Sequence, residues 1–258
     1  MKIVSWNVNS IRARAEIVRD FLARVQPDVL CMQETKVVDD EFPTEEFGRL
    51  GYGVAFAGQR TYNGVAIASR LPLTDVRVGL FDDTADAERR LIAATIAGVR
   101  VINAYVPNGK GVDLPSFREK LRWLERLRIT LDTLSPGPDA AIVLCGDFNV
   151  AREDRDVYAP DRMRGRLHFH PEEHKALGRL LDFGLFDSLR ERNASPGLYS
   201  WWDYRGGDFR ENRGLRIDYV FVTAPLRARL RDAGIDREPR KLDKPSDHAP
   251  VFIELDDA

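Results

Sequence analysis

Apolar residues fall in this chain into short blocks of strand length, separated by charged and turn-forming residues. Blocks that are apolar at consecutive positions are expected for strands covered on both faces. This pattern predicts buried strands at residues 2–8, 28–33, 140–150, 215–223 and 249–255. Turn residues join two further pairs, which predict hairpins at 52–57 with 64–69 and at 91–97 with 100–105.

Three segments instead space their apolar residues three or four positions apart, as on one face of a helix. They cover residues 11–25, 117–134 and 172–183. Residues 152–169 have no clear period and are rich in Arg and Asp, so we expect a long functional loop there.

The predicted strands outnumber the helices. Two segments far apart in the sequence also share one pattern, which we call the internal echo. Residues 3–9 and 143–149 are both apolar strands that end in Asn-bearing polar tips. Such an echo indicates two similar halves packed face to face with helices outside. We therefore predict an α/β fold, a four-layer α/β sandwich of two packed mixed β-sheets flanked by helices, in one domain over residues 1–258.

The composition is that of a globular protein without a disulfide framework. The 258 residues carry 39 basic and 41 acidic side chains, and no apolar run approaches a membrane span. Cys31 and Cys145 lie inside apolar runs and are expected to be buried free thiols. We expect a cytoplasmic monomer without a membrane partner. The net charge of −2 leaves nucleic acid open as a ligand, because affinity for phosphates depends on a local basic face.

Segment 140–150 introduces the candidate chemistry. Its strand is interrupted at Gly146, and Asp147 and Asn149 follow. Their side chains project to the same side, because the two residues are two positions apart in extended backbone. An ordinary turn is the alternative, since Gly, Asp and Asn are common turn residues.

Four other strand ends carry similar groups, which favours a site over ordinary turns. Strand ends at one rim of a sandwich converge, and clustered carboxylate and amide oxygens suit a hard cation such as Mg²⁺. These ends carry Asn7, Glu34, Tyr105, and Asp247 with His248.

Asp218 lies between Ile217 and Tyr219 on a strand that is apolar on both faces. A buried carboxylate must be paired or hydrogen-bonded. We predict that it orients His248 and favours the protonated ring. The alternative is a structural Asp bonded to nearby backbone or to Arg216.

Five segments together resemble the exonuclease III family of abasic-site endonucleases, in the family's order and over nearly the whole chain. They read PDVLCMQETK at 27–36, NAYVPNG at 103–109, GDFN at 146–149, LRIDY at 215–219 and SDH at 246–248. The family has the endonuclease/exonuclease/phosphatase fold, which is the α/β sandwich predicted above. The resemblance implies a Mg²⁺-dependent DNA repair nuclease, with Mn²⁺ as a substitute. Its expected substrate is double-stranded DNA, cut 5′ to abasic sites, degraded 3′ to 5′ and cleaned at 3′ ends.

The resemblance also implies a metal site. Glu34 is the principal Mg²⁺ ligand, with Asn7 and Asp247 in or near its shell. A second cation held by Asp147 and Asn149 is an open alternative. Asn9 weakens it, because some relatives carry an acid at this position.

For the chemistry at phosphorus, the resemblance implies five contacts. Asp147 positions and deprotonates the attacking water, and Asn149 holds the phosphate or that water. Tyr105 and Asn108 contact the scissile phosphate. His248, held by its predicted carboxylate partner, donates to the phosphate oxygen on which charge develops.

Trp201 resembles the aromatic wall of the family's abasic pocket, together with Leu215 and Ile217. Such a pocket admits a flipped sugar that lacks its base and excludes a normal nucleotide. The alternative for the neighbouring Trp202 is a core position. A basic run follows and could hold backbone phosphates, unless it is a solvated loop; its members are Arg205, Arg210, Arg213 and Arg216.

His168 lies in the loop 152–169, next to the expected pocket entrance. Its bulk could favour exonuclease work at 3′ ends over incision at internal abasic sites. A loop residue without a role is the alternative.

Two other functions stay open. Another phosphoesterase of this fold, acting on inositol phosphates, lipids or messenger RNA tails, would share the strand-end residues but not the Trp201 segment, the Arg run or the Tyr105 motif. A catalytically inactive DNA-binding module is the third hypothesis, and the presence of every expected polar group argues against it.

Overall fold

The computed structural model describes residues 1–135 and 137–256, and within them twelve strands form two six-stranded mixed sheets. The first sheet has the order β11 (Leu230–Ile235), β12 (Val251–Leu255), β1 (Lys2–Asn7), β2 (Val29–Gln33), β4 (Val65–Ser69), β3 (Gly53–Ala57). The second has the order β5 (Thr74–Val78), β6 (Leu91–Ile96), β7 (Val99–Tyr105), β8 (Ile142–Asp147), β10 (Asp218–Thr223), β9 (Leu185–Asp187).

The two sheets repeat one arrangement. Each has a central parallel pair, β1 with β2 and β7 with β8, flanked on both sides by antiparallel strands. The echo between segments 3–9 and 143–149 therefore reflects equivalent positions, since β1 and β8 are the matching central strands.

Apolar side chains of the two sheets face each other in the centre of the molecule, among them Ile3 and Cys31 from the first sheet and Val101 and Cys145 from the second. Both cysteines are buried and free, as predicted. The residues that face away from this central layer are also apolar, because each sheet is covered on its other side by helices.

The helices are α1 (Ala15–Val25), α2 (Thr44–Arg49), α3 (Pro115–Leu134), α4 (Pro160–Met163), α5 (Pro171–Leu181), α6 (Ser188–Arg192) and α7 (Ala224–Arg227). Helix α1 packs Val18, Phe21 and Leu22 onto the first sheet. Helices α3 and α5 pack onto the second. The predicted four-layer sandwich is confirmed. No helix of the described segments has the length and apolarity that a membrane span needs.

The structure differs from the sequence-based prediction in a few places. Residues 152–169 contain a 3₁₀ turn (Asp154–Asp156) and α4, so they are not an entirely irregular loop. Strands β5, β9 and β11 were missed, because every residue of β5 is exposed, β9 has three residues, and only two residues of β11 are buried. Strands without a buried apolar run give no periodic signal.

Candidate active site

The parallel strands of both sheets end at one rim of the sandwich, and polar side chains collect there. Asn7, Tyr105 and Asp147 are the last residues of β1, β7 and β8, and Glu34 follows β2 directly. Asp218 opens the antiparallel strand β10 and is the register partner of Asp147. The topology therefore brings together residues that are far apart in sequence.

Asn7 joins the two sheets at this rim. Its Nδ2 donates to Glu34 Oε1 at 2.9 Å and to Asp147 Oδ2 at 3.0 Å. The hydroxyl of Tyr105 donates to the same Glu34 oxygen at 2.8 Å. Four of the predicted site residues thus form one hydrogen-bonded group.

The backbone at the rim is unusual at three positions. Gly146 has φ +144°, and a Cβ there would lie 1.8 Å from the carbonyl oxygen of Ala104, so only glycine fits. Glu34 and Asn149 adopt left-handed φ values of +52° and +53°. Left-handed conformations of residues other than glycine need support from the surroundings and are concentrated at functional sites.

Asp218 and His248 form the predicted pair. The Nδ1 atom of His248 lies 2.9 Å from Asp218 Oδ2, which also accepts a hydrogen bond from Ser200 Oγ at 2.6 Å. Arg216 does not bond Asp218; its guanidinium is paired with Asp156 and Asp187. The alternative of a purely structural Asp218 held by Arg216 is therefore wrong.

Electrostatics at the rim push two pKa values upwards. Burial, followed by the charges of Asp218 and Glu34, raises the pKa of Asp147 to about 7, although His248 opposes the shift. Burial alone would lower the pKa of His248, but Asp218 and Asp147 outweigh it and raise that pKa to about 10. A carboxyl that titrates near neutrality and a protonated imidazole therefore face each other.

Glu34 is the most accessible carboxylate of the buried group. Its side chain is 18% exposed, compared with 1% for Asp147. Burial raises the pKa of Glu34, but the charge of Lys36 and the hydrogen bonds from Asn7 and Lys36 outweigh burial and lower it. The carboxylate is therefore ionised at neutral pH.

Two groupings of ligand atoms could hold a metal ion. Asp147, Asp218 and His248 place one ligand atom each within 4.8 Å of one another, yet all three side chains are buried and already bonded. At the other position, Lys36 Nζ lies 2.7 Å from Glu34 Oε2 and 2.6 Å from Asn9 Oδ1. Because an ammonium group is held there by carboxylate and amide oxygens, this donor set fits a hard cation.

Asp247 lies next to Asn9 at this cation position and makes no hydrogen bond to Glu34. Its carboxylate accepts from Asn9 Nδ2 at 2.9 Å and from Trp201 Nε1 at 3.0 Å. Asn9 in turn contacts Lys36, which connects Asp247 to the Glu34 side of the rim.

Asn108 and Asn149 form a pair of amides beside Asp147. Asn108 Nδ2 donates to Asn149 Oδ1 at 3.1 Å, and Asn149 Nδ2 donates to the carbonyl of Val106 at 3.1 Å. The two amides are fixed relative to each other next to Asp147, whose Oδ1 accepts from the Asn149 backbone N–H at 2.9 Å.

The predicted pocket residues form a small apolar cluster beside His248. Trp201 packs, half-buried, against Leu215 and Ile217, which are both buried. Backbone bridges connect Trp201 to Leu215 and to His248, so this wall is attached to the polar rim. Trp202 is fully buried and occupies the core position considered for it.

The basic run does not act as one surface. Arg205 is 90% exposed and paired only with Asp203, whereas the Arg216 side chain is 1% exposed. In the extended segment around it, Arg216 points away from the pocket side and into a buried ion network with Asp156 and Asp187. Its prediction as a phosphate-holding residue is wrong.

His168 is half-buried and lies against the site. Its Nδ1 is 2.5 Å from the carbonyl oxygen of Asn149, and its φ is +71°. Burial and the charge of Lys120 lower the pKa of His168 to about 3, so the ring is neutral. A carbonyl only accepts, and the proton is therefore assigned to Nδ1.

Asn103 and Lys120 support the site but are not among the residues predicted for it. Asn103 donates from the second sheet to the carbonyls of Met32 and Ala66 in the first, both at 2.9 Å. Its position two residues before Tyr105 could have been noticed, because residues i and i+2 of a strand share a face. Lys120 has no such mark in the sequence.

Comparisons with known proteins show the family of this chain. Residues 4–248 match the Endonuclease/Exonuclease/phosphatase family. Exodeoxyribonuclease III of Haemophilus influenzae is 36% identical over 267 residues, which cover 99% of this chain and 100% of that protein.

Two solved structures are similar over the same length. The 3′ phosphatase NExo from Neisseria, bound to product DNA hairpin, has a TM-score of 0.95 at 43% identity, with 99% of both chains covered. An AP endonuclease from Archaeoglobus fulgidus has a TM-score of 0.95 at 42% identity, with 100% of both chains covered.

Proposed function

The chain belongs to the exonuclease III family and is a DNA repair nuclease, a hydrolase of phosphodiester bonds; on that premise we propose its detailed activity. It is a Mg²⁺-dependent enzyme that cuts double-stranded DNA 5′ to abasic sites and removes nucleotides and blocking groups from 3′ ends. The observation that carries this proposal is the position of Asp147 and His248. A carboxylate and an imidazolium lie 3.8 Å apart beside Glu34.

Glu34 is proposed to hold the Mg²⁺ ion, with Asn7 and Asp247 close to its shell. The ion, when bound, supplies a positive charge that stabilises the charge developing on the phosphate. We favour this position over the grouping of Asp147, Asp218 and His248, because those side chains bond one another and are less accessible. When Mg²⁺ binds at this position, the ammonium group of Lys36 must move away from Glu34, which its flexible side chain allows.

Asp147 is proposed to deprotonate the attacking water. Its pKa of about 7 matches a general base that works near neutral pH. On the opposite side, His248 remains protonated and donates from Nε2 to the phosphate oxygen that gains charge, because Nδ1 is held by Asp218.

Tyr105, Asn108 and Asn149 are proposed to hold the scissile phosphate. Burial, with the charges of Glu34 and Asp147, raises the pKa of Tyr105 far above its usual range, so its hydroxyl remains a donor. The amides of Asn108 and Asn149 are fixed by their mutual hydrogen bond. Donors that are positioned before the substrate arrives need little reorganisation during the reaction. The Asn149 amide must release Asp147 Oδ2, to which it donates at 3.2 Å, in order to donate to the phosphate.

The cluster of Trp201, Leu215 and Ile217 is proposed to select the abasic sugar. Its apolar wall adjoins His248, so a sugar without a base would lie next to the catalytic rim. Arg205 is exposed and is proposed to contact backbone phosphate.

A second candidate is an enzyme specialised for 3′ ends. His168 supports it, because the ring occupies space directly beside Asn149. A bulky side chain there would hinder an internal sugar more than a terminal one.

The deciding experiment uses labelled duplexes with one abasic-site analogue, a plain recessed 3′ end, or a 3′ phosphate. We expect cleavage 5′ to the lesion that leaves a 3′ hydroxyl, in Mg²⁺ but not with chelator. Activity confined to the two 3′-end substrates would favour the second candidate. Activity on a soluble phosphorylated sugar, with none on any duplex, would contradict both.

A further inference from the structure

Lys120 is a lysine with no exposed surface at all. It lies on α3, and its Nζ donates to the carbonyls of Asn149 at 2.7 Å and Asn108 at 3.2 Å. Its third partner is a carboxylate oxygen of Glu173 on α5. A fully buried lysine is rare unless it is paired. The chemistry proposed above assigns this one no role.

The two carbonyls are the backbone carbonyls of Asn108 and Asn149, the residues whose side-chain amides are proposed to hold the phosphate. Asn108 follows β7 and Asn149 follows β8, so one ammonium group ties together the loops after two neighbouring strands. Asn149 has a left-handed φ of +53°, a conformation that persists only where neighbouring groups hold it. Lys120 and His168 both lie against its carbonyl oxygen, at 2.7 and 2.5 Å.

Glu173 is the charged partner of the buried lysine. Burial lowers the pKa of Lys120, and the charge and hydrogen bond of Glu173 oppose this. Glu173 is itself fully buried, and its second oxygen accepts the backbone N–H of His170 at 3.1 Å. The pair is neutral as a whole and shielded from solvent, so it does not attract DNA from outside.

We propose that Lys120 is a positioning residue for phosphodiester cleavage. It fixes the backbones of Asn108 and Asn149 so that their side-chain amides stay in place beside the scissile phosphate, with Glu173 as its buried partner. This inference rests on the roles proposed for the two asparagines.

The test separates positioning from stability by removing both charges together. Lys120→Met and Glu173→Gln alone each leave one buried charge unpaired and should lower Tm strongly. The double variant K120M/E173Q leaves no buried charge, and its Tm should return close to the wild-type value. Its kcat should nevertheless remain reduced, by about tenfold or more, with KM for DNA changed by less than about threefold.

A double variant that recovers both Tm and wild-type kcat would overturn the proposal, because the pair would then serve stability alone. If Tm does not recover, Leu131→Ala provides the matched control. Leu131 lies on the same helix, is fully buried in the apolar core and is remote from the rim. Both variants are then assayed well below their Tm values. A kcat of the double variant equal to that of Leu131→Ala also overturns positioning.

Two direct variants distinguish this failure from a failure of the proposed function. Asn108→Ala and Asn149→Ala are measured on the same abasic duplex. Full kcat in both would refute the roles of the asparagines, and with them the basis of the inference. Loss of kcat in both, beside a fully active K120M/E173Q, would refute only the role of Lys120.

Discussion

The carboxylate of Asp147 lies 3.8 Å from Nε2 of His248, although the two residues are next to strands of different sheets and are separated by about a hundred positions. Asp147 ends β8 in the second sheet, and His248 precedes β12 in the first. Their pKa values, about 7 and about 10, leave a range in which the carboxylate and the imidazolium are both charged. The proposed reaction needs that combination.

The pH dependence of kcat/KM follows from this pair. Activity should rise as pH passes about 7, where Asp147 loses its proton, and fall as pH passes about 10, where His248 loses its proton. Raising the Mg²⁺ concentration should move the rising limb to lower pH, since a nearby cation favours the carboxylate. Steady-state rates across pH 5 to 11, at about the same ionic strength, provide the measurement. A profile that is flat through pH 7 at low Mg²⁺ would contradict Asp147 as the base.

Asp218→Asn should move the falling limb of that profile to lower pH. The charge of Asp218 is the main cause that raises the pKa of His248 above 6.5. That raised pKa stabilises the fold fully below pH 6.5, and this stabilisation is lost as pH rises through about 10. The variant should therefore lose stability most clearly at and below neutral pH.

The His248 ring protons, followed by NMR against pH, report the shift directly. We also expect kcat to fall roughly 10²-fold, because the ring loses its orientation. Asp232→Asn is the control, since Asp232 is exposed on β11. An unchanged His248 titration in Asp218→Asn would contradict the pairing.

Glu34→Gln should weaken Mg²⁺ binding and reduce kcat by roughly 10³-fold. The amide that replaces the carboxylate keeps the shape of the side chain but removes the charge that also holds Lys36. Calorimetric titration with Mg²⁺ measures the affinity, and Glu41→Gln, an exposed residue paired with Arg12, is the control. Wild-type affinity and rate in Glu34→Gln would remove Glu34 from the proposed metal site.

His168→Gly should raise internal abasic incision relative to 3′ trimming. Glycine adopts the φ of +71° found at this position without strain, so the backbone should keep its path while the ring is removed. Rates on the abasic duplex and on the recessed 3′ end give the ratio. An unchanged ratio ends the idea that the ring selects between the two substrates.

Arg216→Met should lower stability, whereas Arg205→Met should weaken DNA binding and leave stability almost unchanged. Loss of Arg216 leaves Asp156 and Asp187 buried with fewer partners, and we expect about 3–5 kcal/mol less free energy of unfolding. Loss of the exposed Arg205 should leave stability within about 0.5 kcal/mol. It should instead reduce the salt dependence of DNA affinity by roughly one charge.

Urea denaturation and DNA binding at several salt concentrations measure both quantities. Arg213→Met serves as a further control, since Arg213 is partly exposed and paired within its own loop. A stable Arg216→Met protein with a weaker salt dependence would restore Arg216 to the DNA-binding surface.

Arg205 and Arg216 also differ in a property that the sequence pattern does not predict, namely their burial. Nothing in the run from Arg205 to Arg216 distinguishes an exposed cation from a buried one. Arg216 is buried because Asp156, 60 residues away, and Asp187, 29 residues away, face it in the folded chain. The same is true of Lys120, whose partner Glu173 is 53 residues away on another helix.

By itself the sequence determined the buried strands of the two sheets, the three longest helices and the polar residues at the strand ends, because burial imposes an apolar pattern that can be counted along the chain. The motifs at those ends also identified the family. Only the tertiary structure decided which charges pair, which of them are buried, and that Asp247 accepts hydrogen bonds from Trp201 and Asn9. Such contacts depend on side chains that meet across the sandwich. Their distances are set by packing and leave no periodic trace in the order of the residues.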